Sequence, residues 1–247
     1  MNNERNIKDL KDKFIEIQKL NWIKGSSNGR GNVGITFENI LGKERENFPI
    51  ADYNGIEIKT STNYHRNRYI TLFSAAPDGP YIYQNQILRD KFGWLNKNNE
   101  KIFYSRITAN KYTKITNKYY MKVEISYLEK RIYLKTLNTI TKTSSIECFW
   151  NFDTIEEKIQ KKIQYLALII AEKKEIANQA YFKYKKINFY KSKDLATFLK
   201  LLGNGNIAIC FKIGIYKAGK KKGQTYDHGT GFELLKDKLS NLYDELK

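Results

Sequence analysis

Residues 47–60, Asn-Phe-Pro-Ile-Ala-Asp-Tyr-Asn-Gly-Ile-Glu-Ile-Lys-Thr, constrain the rest of the chain more than any other stretch. Asn54-Gly55 is a turn dipeptide, and after it Ile56 and Ile58 alternate with Glu57 and Lys59. A period of two describes a strand with the isoleucines on one face and the charged pair on the other. Asp52 precedes the turn, near enough to fold back toward Glu57. Two carboxylates and an ammonium then meet at one strand end. Two hard oxygen ligands hold a Mg²⁺, and a lysine beside them orients or polarises an attacking water. The competing reading is a solvated strand face, because short acidic-x-Lys strings are common.

The chain of 247 residues carries 44 Lys plus Arg against 26 Asp plus Glu, a net charge of +18. It is 41% hydrophobic with 13 Phe, 18 Tyr and 3 Trp, enough apolar mass for a core, so it is no disordered polycation. The length suits one large domain or two lobes. Basic residues run along the whole sequence, implying an electropositive surface for a polyanion, most simply nucleic acid. The longest apolar run, residues 165–171, is too short to cross a bilayer. The N-terminus leads into an amphipathic helix rather than a signal peptide, and its mixed charges argue against a membrane-surface helix. Cys148 and Cys210 lie in apolar, strand-like runs, as reduced core residues of a cytoplasmic protein do. Two His and two Cys set far apart argue against structural zinc.

Residues 4–20 place Ile7, Leu10, Phe14, Ile17 and Leu20 at helical spacing. A glycine-rich loop over 24–34 follows. Its Gly29, Gly31 and Gly34 match G-x-G-x-x-G, but a helix precedes them where a dinucleotide fingerprint requires a strand. The loop either brings backbone and Arg30 near a phosphate or serves as a plain connector. Residues 33–41 predict a helix with Val33, Phe37 and Leu41 on one stripe, Glu38 beside it and Gly42 closing it. Lying between the glycine loop and the Asp52 turn, Glu38 is a candidate third carboxylate. Beyond Lys59 a polar loop carries His65, Arg66 and Arg68, suited to phosphates and base edges or simply to solvent.

A strand over 70–74, a helix over 83–92, a hairpin of 119–127 with 131–137 and a strand at 146–150 carry no assigned chemistry. Asp153-Thr154-Ile155-Glu156 resembles a capping box. It opens what reads as the longest helix, 154–173, with Ile155, Ile159, Ile163, Leu166 and Ile170 as its buried stripe. A strand over 178–190, a helix ending at Leu202 and a buried strand over 207–216 follow. Gly214 to Lys221 nearly match a phosphate-binding P-loop, but Lys221 occupies the Ser/Thr position that should meet Mg²⁺. Lys220, Lys221 and Lys222 between glycines instead make a mobile basic loop for a groove lined by phosphates, or a solvated one. Tyr226, Asp227 and His228 add donors and acceptors for base edges.

The spacing Pro49-x-x-Asp52-x-x-x-x-Glu57-x-Lys59 looks like the PD-(D/E)xK nuclease core. The run from Gly31 through Glu38 to Gly42, with Asp52, Glu57 and Lys59, is similar to the N-terminal part of MutH-like nucleases. More closely, it resembles restriction endonucleases of the MvaI/BcnI type. Thr71-Leu72-Phe73 followed by Pro77 and Pro80 resembles the same family. So does the block Ile213-Gly214-Ile215-Tyr216, Gly219 to Gly223, Thr225, Asp227-His228-Gly229-Thr230 and Phe232, which is similar to its target-reading region. The likeness thus covers most of the chain. Some members carry arginine near the positions of Lys212 and Glu233. Arginine suits bidentate contact with guanine, whereas Glu233 would accept from cytosine or face solvent.

The resemblance implies an α/β fold with a PD-(D/E)xK core: a mixed central sheet flanked by helices, in two lobes that hold double-stranded DNA between them. Residues 1–150 would form the catalytic lobe, and 151–247 a long core helix and the target-recognition region. It implies a monomeric, cytoplasmic Type II restriction endonuclease making Mg²⁺-dependent cuts at a short palindrome or pseudo-palindrome. A DNA methyltransferase of the same system would protect the host genome. Carried over by position, Asp52 and Glu57 ligate the metal, with Glu38 and Lys59 completing the catalytic set. The expected DNA contacts are Arg30, His65, Arg66, Arg68, Lys212, Tyr216, Lys220, Lys221, Lys222, Thr225, Tyr226, Asp227, His228, Thr230 and Glu233. The alternatives are a MutH-like strand-nicking repair enzyme and a catalytically decayed DNA-binding module. An RNA-binding protein would account for the charge and tyrosines but leaves the Glu38–Lys59 constellation unexplained.

Overall fold

The computed structural model describes residues 3–27, 29, 31–42, 51–62 and 68–246. In chain order they form α1 (Asn3–Lys19), β1 (Ile23–Lys24), α2 (Asn32–Ile40), β2 (Ile56–Ser61), β3 (Tyr69–Ser74) and α3 (Gln84–Phe92). Then come β4 (Trp94–Leu95), β5 (Lys101–Ile107), β6 (Thr113–Lys114), β7 (Tyr119–Ser126), β8 (Arg131–Asn138), β9 (Ser144–Asn151) and α4 (Phe152–Lys158). After a π-helical turn (Ile159–Ile163) follow β10 (Tyr165–Ile176), β11 (Gln179–Ser192), α5 (Leu195–Gly203) and β12 (Ile207–Ile215). The chain closes with β13 (Thr225–Asp227), β14 (Gly231–Leu235), α6 (Leu239–Leu242) and β15 (Tyr243–Leu246). This is the mixed α/β architecture expected.

The chain forms two compact units. The first takes 1–68, 159–193 and 243–247; the second takes 69–158 and 194–242. A boundary near residue 150 follows the chain, whereas both units are discontinuous. The reason is strand pairing: β10 runs parallel to β2, with Leu166 opposite Glu57 and Leu168 opposite Lys59. It pairs antiparallel with β11 on its other edge, giving the order β1-β11-β10-β2 with β15 on β11.

The long helix expected over 154–173 is corrected by the same pairing. Helix α4 ends at Lys158, the π-helical turn ends at Ile163, and the apolar run Leu166–Ala171 lies in β10. A central strand is buried on both faces, so its sequence is continuously apolar and does not alternate. Ile155, Ile159 and Ile163 are nonetheless buried, as a helical stripe requires.

In the first unit, Leu10, Phe14 and Ile17 of α1 pack with Phe37, Ile56, Ile58, Ala167, Ile169 and Phe182. Each Leu, Ile or Phe among them contributes about 1.5–3 kcal/mol through burial. The glycine loop is tied to α2 by side chains. Asn32 Oδ1 accepts from Ser27 N and from Thr36 Oγ1, both at 3.0 Å, and Ser26 N donates to Thr36 Oγ1 at 2.9 Å.

The second unit holds the sheet β3-β14-β12-β5-β4, with β13 on β12, and the antiparallel sheet β6-β7-β8-β9. Strand β12 is buried along most of its length, its large apolar side chains on one face. Ile207, Ile209, Phe211 and Ile213 are fully buried with Phe103, Ile107, Phe232 and Leu234. Cys210, Lys212 and Gly214 point to the other face, opposite Arg106, Tyr104 and Tyr226 respectively. One face is therefore core and the other polar, as antiparallel sheets allow. Trp150 anchors the core, its indole N–H donating to Ala75 O at 3.1 Å.

Candidate active site and recognition face

The candidate active site belongs to the first unit and begins with a two-residue hairpin. Asn54 (φ 44°) and Gly55 (φ 87°) both have positive φ, the condition for a type I′ turn. Tyr53 and Ile56 exchange backbone hydrogen bonds across it, at 2.9 and 2.7 Å. The hairpin brings Asp52 back alongside β2, where Asp52 Oδ2 accepts from Ile58 N at 2.9 Å. Ile56 and Ile58 go into the core. Glu57 is buried too, its side chain only 2% exposed, and is paired with Lys59. The turn, the strand and the meeting of Asp52, Glu57 and Lys59 are as the sequence implied; Phe48, Pro49 and Ile50 lie outside the described residues.

Lys162, from the π-helical turn, completes this cluster. Its Nζ is 3.0 Å from Glu57 Oε2 and 3.9 Å from Asp52 Oδ1. The sequence gives no local signal for it, because it is far from Asp52 along the chain and reads as one face of a long helix. Burial pushes the Glu57 carboxyl above its ordinary value; Lys59 and Lys162 oppose this and the Asp52 charge reinforces it. Oxygens of both carboxylates therefore face one point that already holds a positive charge. That donor set fits a hard divalent cation. Tyr243 is fully buried, and burial followed by the Glu57 charge pushes its hydroxyl far up.

Glu38 stands on the α2 face turned to β2. Gly34, one turn earlier, approaches so closely that a Cβ there would lie 3.1 Å from Thr60 Oγ1 and 3.7 Å from Glu38 Oε1. Among the described residues no three Asp, Glu, His or Cys side chains gather into a metal-binding group. Glu38 therefore lies on the side of α2 that approaches Thr60 of β2, the strand that carries Glu57 and Lys59.

The other expected contacts divide in three. Arg30, His65 and Arg66 lie outside the described residues, and Arg68 is exposed. A second group is gathered on or beside the polar face of the second unit. Tyr216, Tyr226, His228 and Tyr104 form a ring cluster, with centroids 4.5 Å apart for Tyr216–Tyr226, 4.3 Å for Tyr226–His228 and 6.3 Å for Tyr104–His228. Gly214 makes room for it: a Cβ there would meet Tyr104 Oη at 3.3 Å and His228 Nε2 at 3.5 Å. Lys220, Lys221 and Lys222 are exposed at a tip between β12 and β13. Backbone bonds close this tip, Gly223 N to Tyr216 O at 2.9 Å and Tyr216 N to Gln224 O at 3.0 Å. The basic loop expected there is closed at its base by these bonds.

The third group is used inside the fold. Asp227 accepts from Gly229 N, Thr230 N, Thr230 Oγ1 and Asn85 Nδ2 at 2.8–3.2 Å, and Thr230 is only 1% exposed. The half-buried Thr225 lies beside them on β13. Glu233 neither faces solvent nor presents a free carboxylate. It is buried between β12 and β3, and its two oxygens accept from Lys212 Nζ at 2.8 Å and from Arg106 at 2.6 and 2.9 Å. Burial pushes the Glu233 carboxyl up, but donation from Lys212 and Arg106 outweighs it and holds the group below its ordinary value. Arg106 was legible in principle, since Phe103 and Ile107 alternate with Tyr104 and Arg106 along residues 101–107.

Comparison with known proteins agrees with this geometry. The MvaI/BcnI restriction endonuclease family matches residues 11–243. The structure of restriction endonuclease MvaI with its cognate DNA substrate is similar with a TM-score of 0.88 and 28% identity, covering 98% of this chain and 97% of that one. The structure of MvaI in the absence of DNA is similar with a TM-score of 0.62 and 28% identity, covering 98% and 96%. No curated protein sequence matches significantly. With a PD-(D/E)xK-like fold, a family match over nearly its whole length and the expected acidic–lysine hairpin, the chain belongs to the MvaI/BcnI restriction endonuclease family, and it is a Type II sequence-specific endonuclease.

Proposed function

We propose that the chain cleaves both strands of double-stranded DNA at a short palindrome or pseudo-palindrome in a Mg²⁺-dependent reaction, with Asp52, Glu57 and Lys59 as its centre. The hairpin that turns Asp52 onto the buried Glu57, with Lys59 beside them, is the observation that carries this reading. Asp52 and Glu57 hold the metal. When bound, Mg²⁺ supplies a doubly charged Lewis acid at the scissile phosphate. Lys59, partly exposed beside Glu57, orients the attacking water and balances charge on phosphorus. Glu38 orients water from the edge of the site. Lys162 neutralises the facing carboxylates before substrate arrives. As the water oxygen bonds to phosphorus in line and gives up a proton to solvent, the P–O3′ bond breaks and the departing O3′ takes a proton from solvent, leaving 5′-phosphate and 3′-hydroxyl ends.

Exposed Lys220, Lys221 and Lys222, with Arg30, His65, Arg66 and Arg68, engage phosphates and groove edges. Lys212 and the rings of Tyr216, Tyr226 and His228 stand at the bases, while Thr225, Asp227, Thr230 and Glu233 hold that surface in shape. The charge of +18 predicts affinity that falls steeply with salt as counterions are released. The enzyme acts as a monomer in the cytoplasm, beside a methyltransferase that marks host sites. Among the described residues no helix is long and apolar enough to cross a membrane.

Incubation with unmethylated plasmid and phage DNA, with Mg²⁺ or chelator, tests the proposal. Discrete Mg²⁺-dependent fragments whose sequenced ends share one motif are expected. Nicked circles alone would indicate a MutH-like enzyme, and a gel shift without cutting would indicate a decayed site.

A further inference from the structure

On the polar face of the β3-β14-β12-β5 sheet, one carboxylate serves two cations. Arg106 Nε and Nη2 both donate to Glu233 Oε2, at 2.9 and 2.6 Å, and Lys212 Nζ donates to Oε1 at 2.8 Å. The carboxylate is 5% exposed, whereas the Arg106 and Lys212 side chains are 41% and 40% exposed. The anion is therefore inside the sheet surface and the cations are at its outside. The guanidinium also lies over the Tyr69 ring, 4.1 Å from its centroid. A planar group gripped along one edge and stacked on a ring has one orientation.

A guanidinium has five N–H donors, and this grip uses one on Nε and one on Nη2. The remaining edge, Nη1 with the second Nη2 hydrogen, presents two parallel donors; among the described residues Nη1 donates to nothing. That edge matches the O6 and N7 acceptors that guanine shows in the major groove. An ion pair serving the fold alone needs a single cation for one buried carboxylate. Here there are two, leaving a surplus positive charge on a surface that also carries Tyr104, Tyr226 and His228.

We propose that Arg106 is a specificity-determining residue that reads one guanine of the target through its free guanidinium edge, with Glu233 as the positioning residue that sets its plane. The inference rests on the nuclease reading above. It names the arginine's substrate group, a guanine Hoogsteen edge, and assigns Glu233 no contact with DNA.

The test is a base-analogue cycle. Once fragment ends have defined the target, duplexes carrying 7-deazaguanine at each guanine in turn are cut with wild type and R106K. The analogue lacks the N7 acceptor. For wild type, one position is expected to lose about 10- to 100-fold in cleavage rate, the range of a good bidentate pair. R106K should lose discrimination against other bases at that same position and show no further loss with the analogue there, because coupled partners are non-additive. E233Q should relax the same position to a smaller extent. An R106K enzyme that keeps the wild-type sequence preference, or a wild type indifferent to 7-deazaguanine at every position, overturns the proposal. If R106K does not fold, R106Q takes its place in the same cycle, with the same two outcomes deciding. A wild type that cuts no DNA refutes the nuclease reading and this role with it; a wild type that cuts while the arginine effects are absent refutes this role only.

Discussion

Each unit of the protein buries a glutamate against two cationic side chains, yet the two are charged differently. Glu57 faces Lys59 and Lys162 but shares them with Asp52, so burial and the neighbouring carboxylate leave its carboxyl above the ordinary value. Glu233 has Arg106 and Lys212 to itself, and their donation overcomes burial and lowers its carboxyl. The first cluster is two anions against two cations; the second is one anion against two. A buried carboxylate that shares its cations with a second, partly exposed one suits an incoming divalent cation. A buried carboxylate with surplus cations around it is already satisfied, and the surplus is available to an anionic or acceptor-rich ligand. On the proposed reading, similar ingredients serve a metal-accepting site in one unit and a nucleic-acid-reading face in the other.

The comparison breaks most readily at Lys59 and Asp52. Lys59→Ala or Asp52→Asn should lower cleavage by about 10²–10⁴-fold while leaving specific binding largely intact. Cleavage rates and gel shifts on one duplex measure both, and full activity in either variant would remove the first cluster from the chemistry.

Glu233→Gln should destabilise the second unit, because it leaves two cations around a neutral amide. Solvent screening of the half-exposed partners reduces the effect to about 1–3 kcal/mol. The lowered carboxyl also sets a pH dependence. Its stabilisation is complete above the ordinary value of 4.5 and is lost as pH falls through the lower folded-state value. Thermal melts from neutral to acid pH should therefore show the wild-type advantage over Glu233→Gln shrinking below that value; an advantage that grows on acidification would contradict the network.

Gly55→Ala sharpens the comparison from the backbone side. A φ of 87° strains any residue with a Cβ, so a loss of about 1 kcal/mol is expected, lowering Tm by about 2–4 °C. Cleavage should fall more than this stability loss implies, since the turn sets Asp52 against Ile58 N. The smallest effect concerns Lys162. With Lys162→Met an ammonium no longer competes for the two carboxylates, and cleavage should saturate at lower Mg²⁺. A titration showing a higher Mg²⁺ requirement would make Lys162 a support for the metal rather than its competitor.

The hairpin was legible because every contact that makes it is local. Asn54-Gly55 dictates the turn, Ile56 and Ile58 dictate which face is buried, and Asp52 reaches β2 across two turn residues. Periodicity likewise marked α1, α2 and the pair β7 with β8, and the apolar run at 207–216 marked β12 as a buried strand. The run at residues 165–171 misled, because uninterrupted apolar sequence serves equally for a buried helix and for a strand covered on both faces. Helix α4 begins at Phe152, two residues before the expected start and with Asp153 inside its first turn, and the chain then changes state after the π-helical turn to pair with β2.

Sequence alone thus determined the family, the charge and the acidic–lysine hairpin, since these depend on residue identity and short spacing. Tertiary structure alone decided the rest. The parallel pairing of β10 with β2 delivers Lys162 to Asp52 and Glu57. The registers of β5, β12 and β14 deliver Arg106 and Lys212 to Glu233, turning an expected surface carboxylate into a buried anchor. Long-range pairing sets which charges share a low-dielectric site, and no spacing along the chain encodes that.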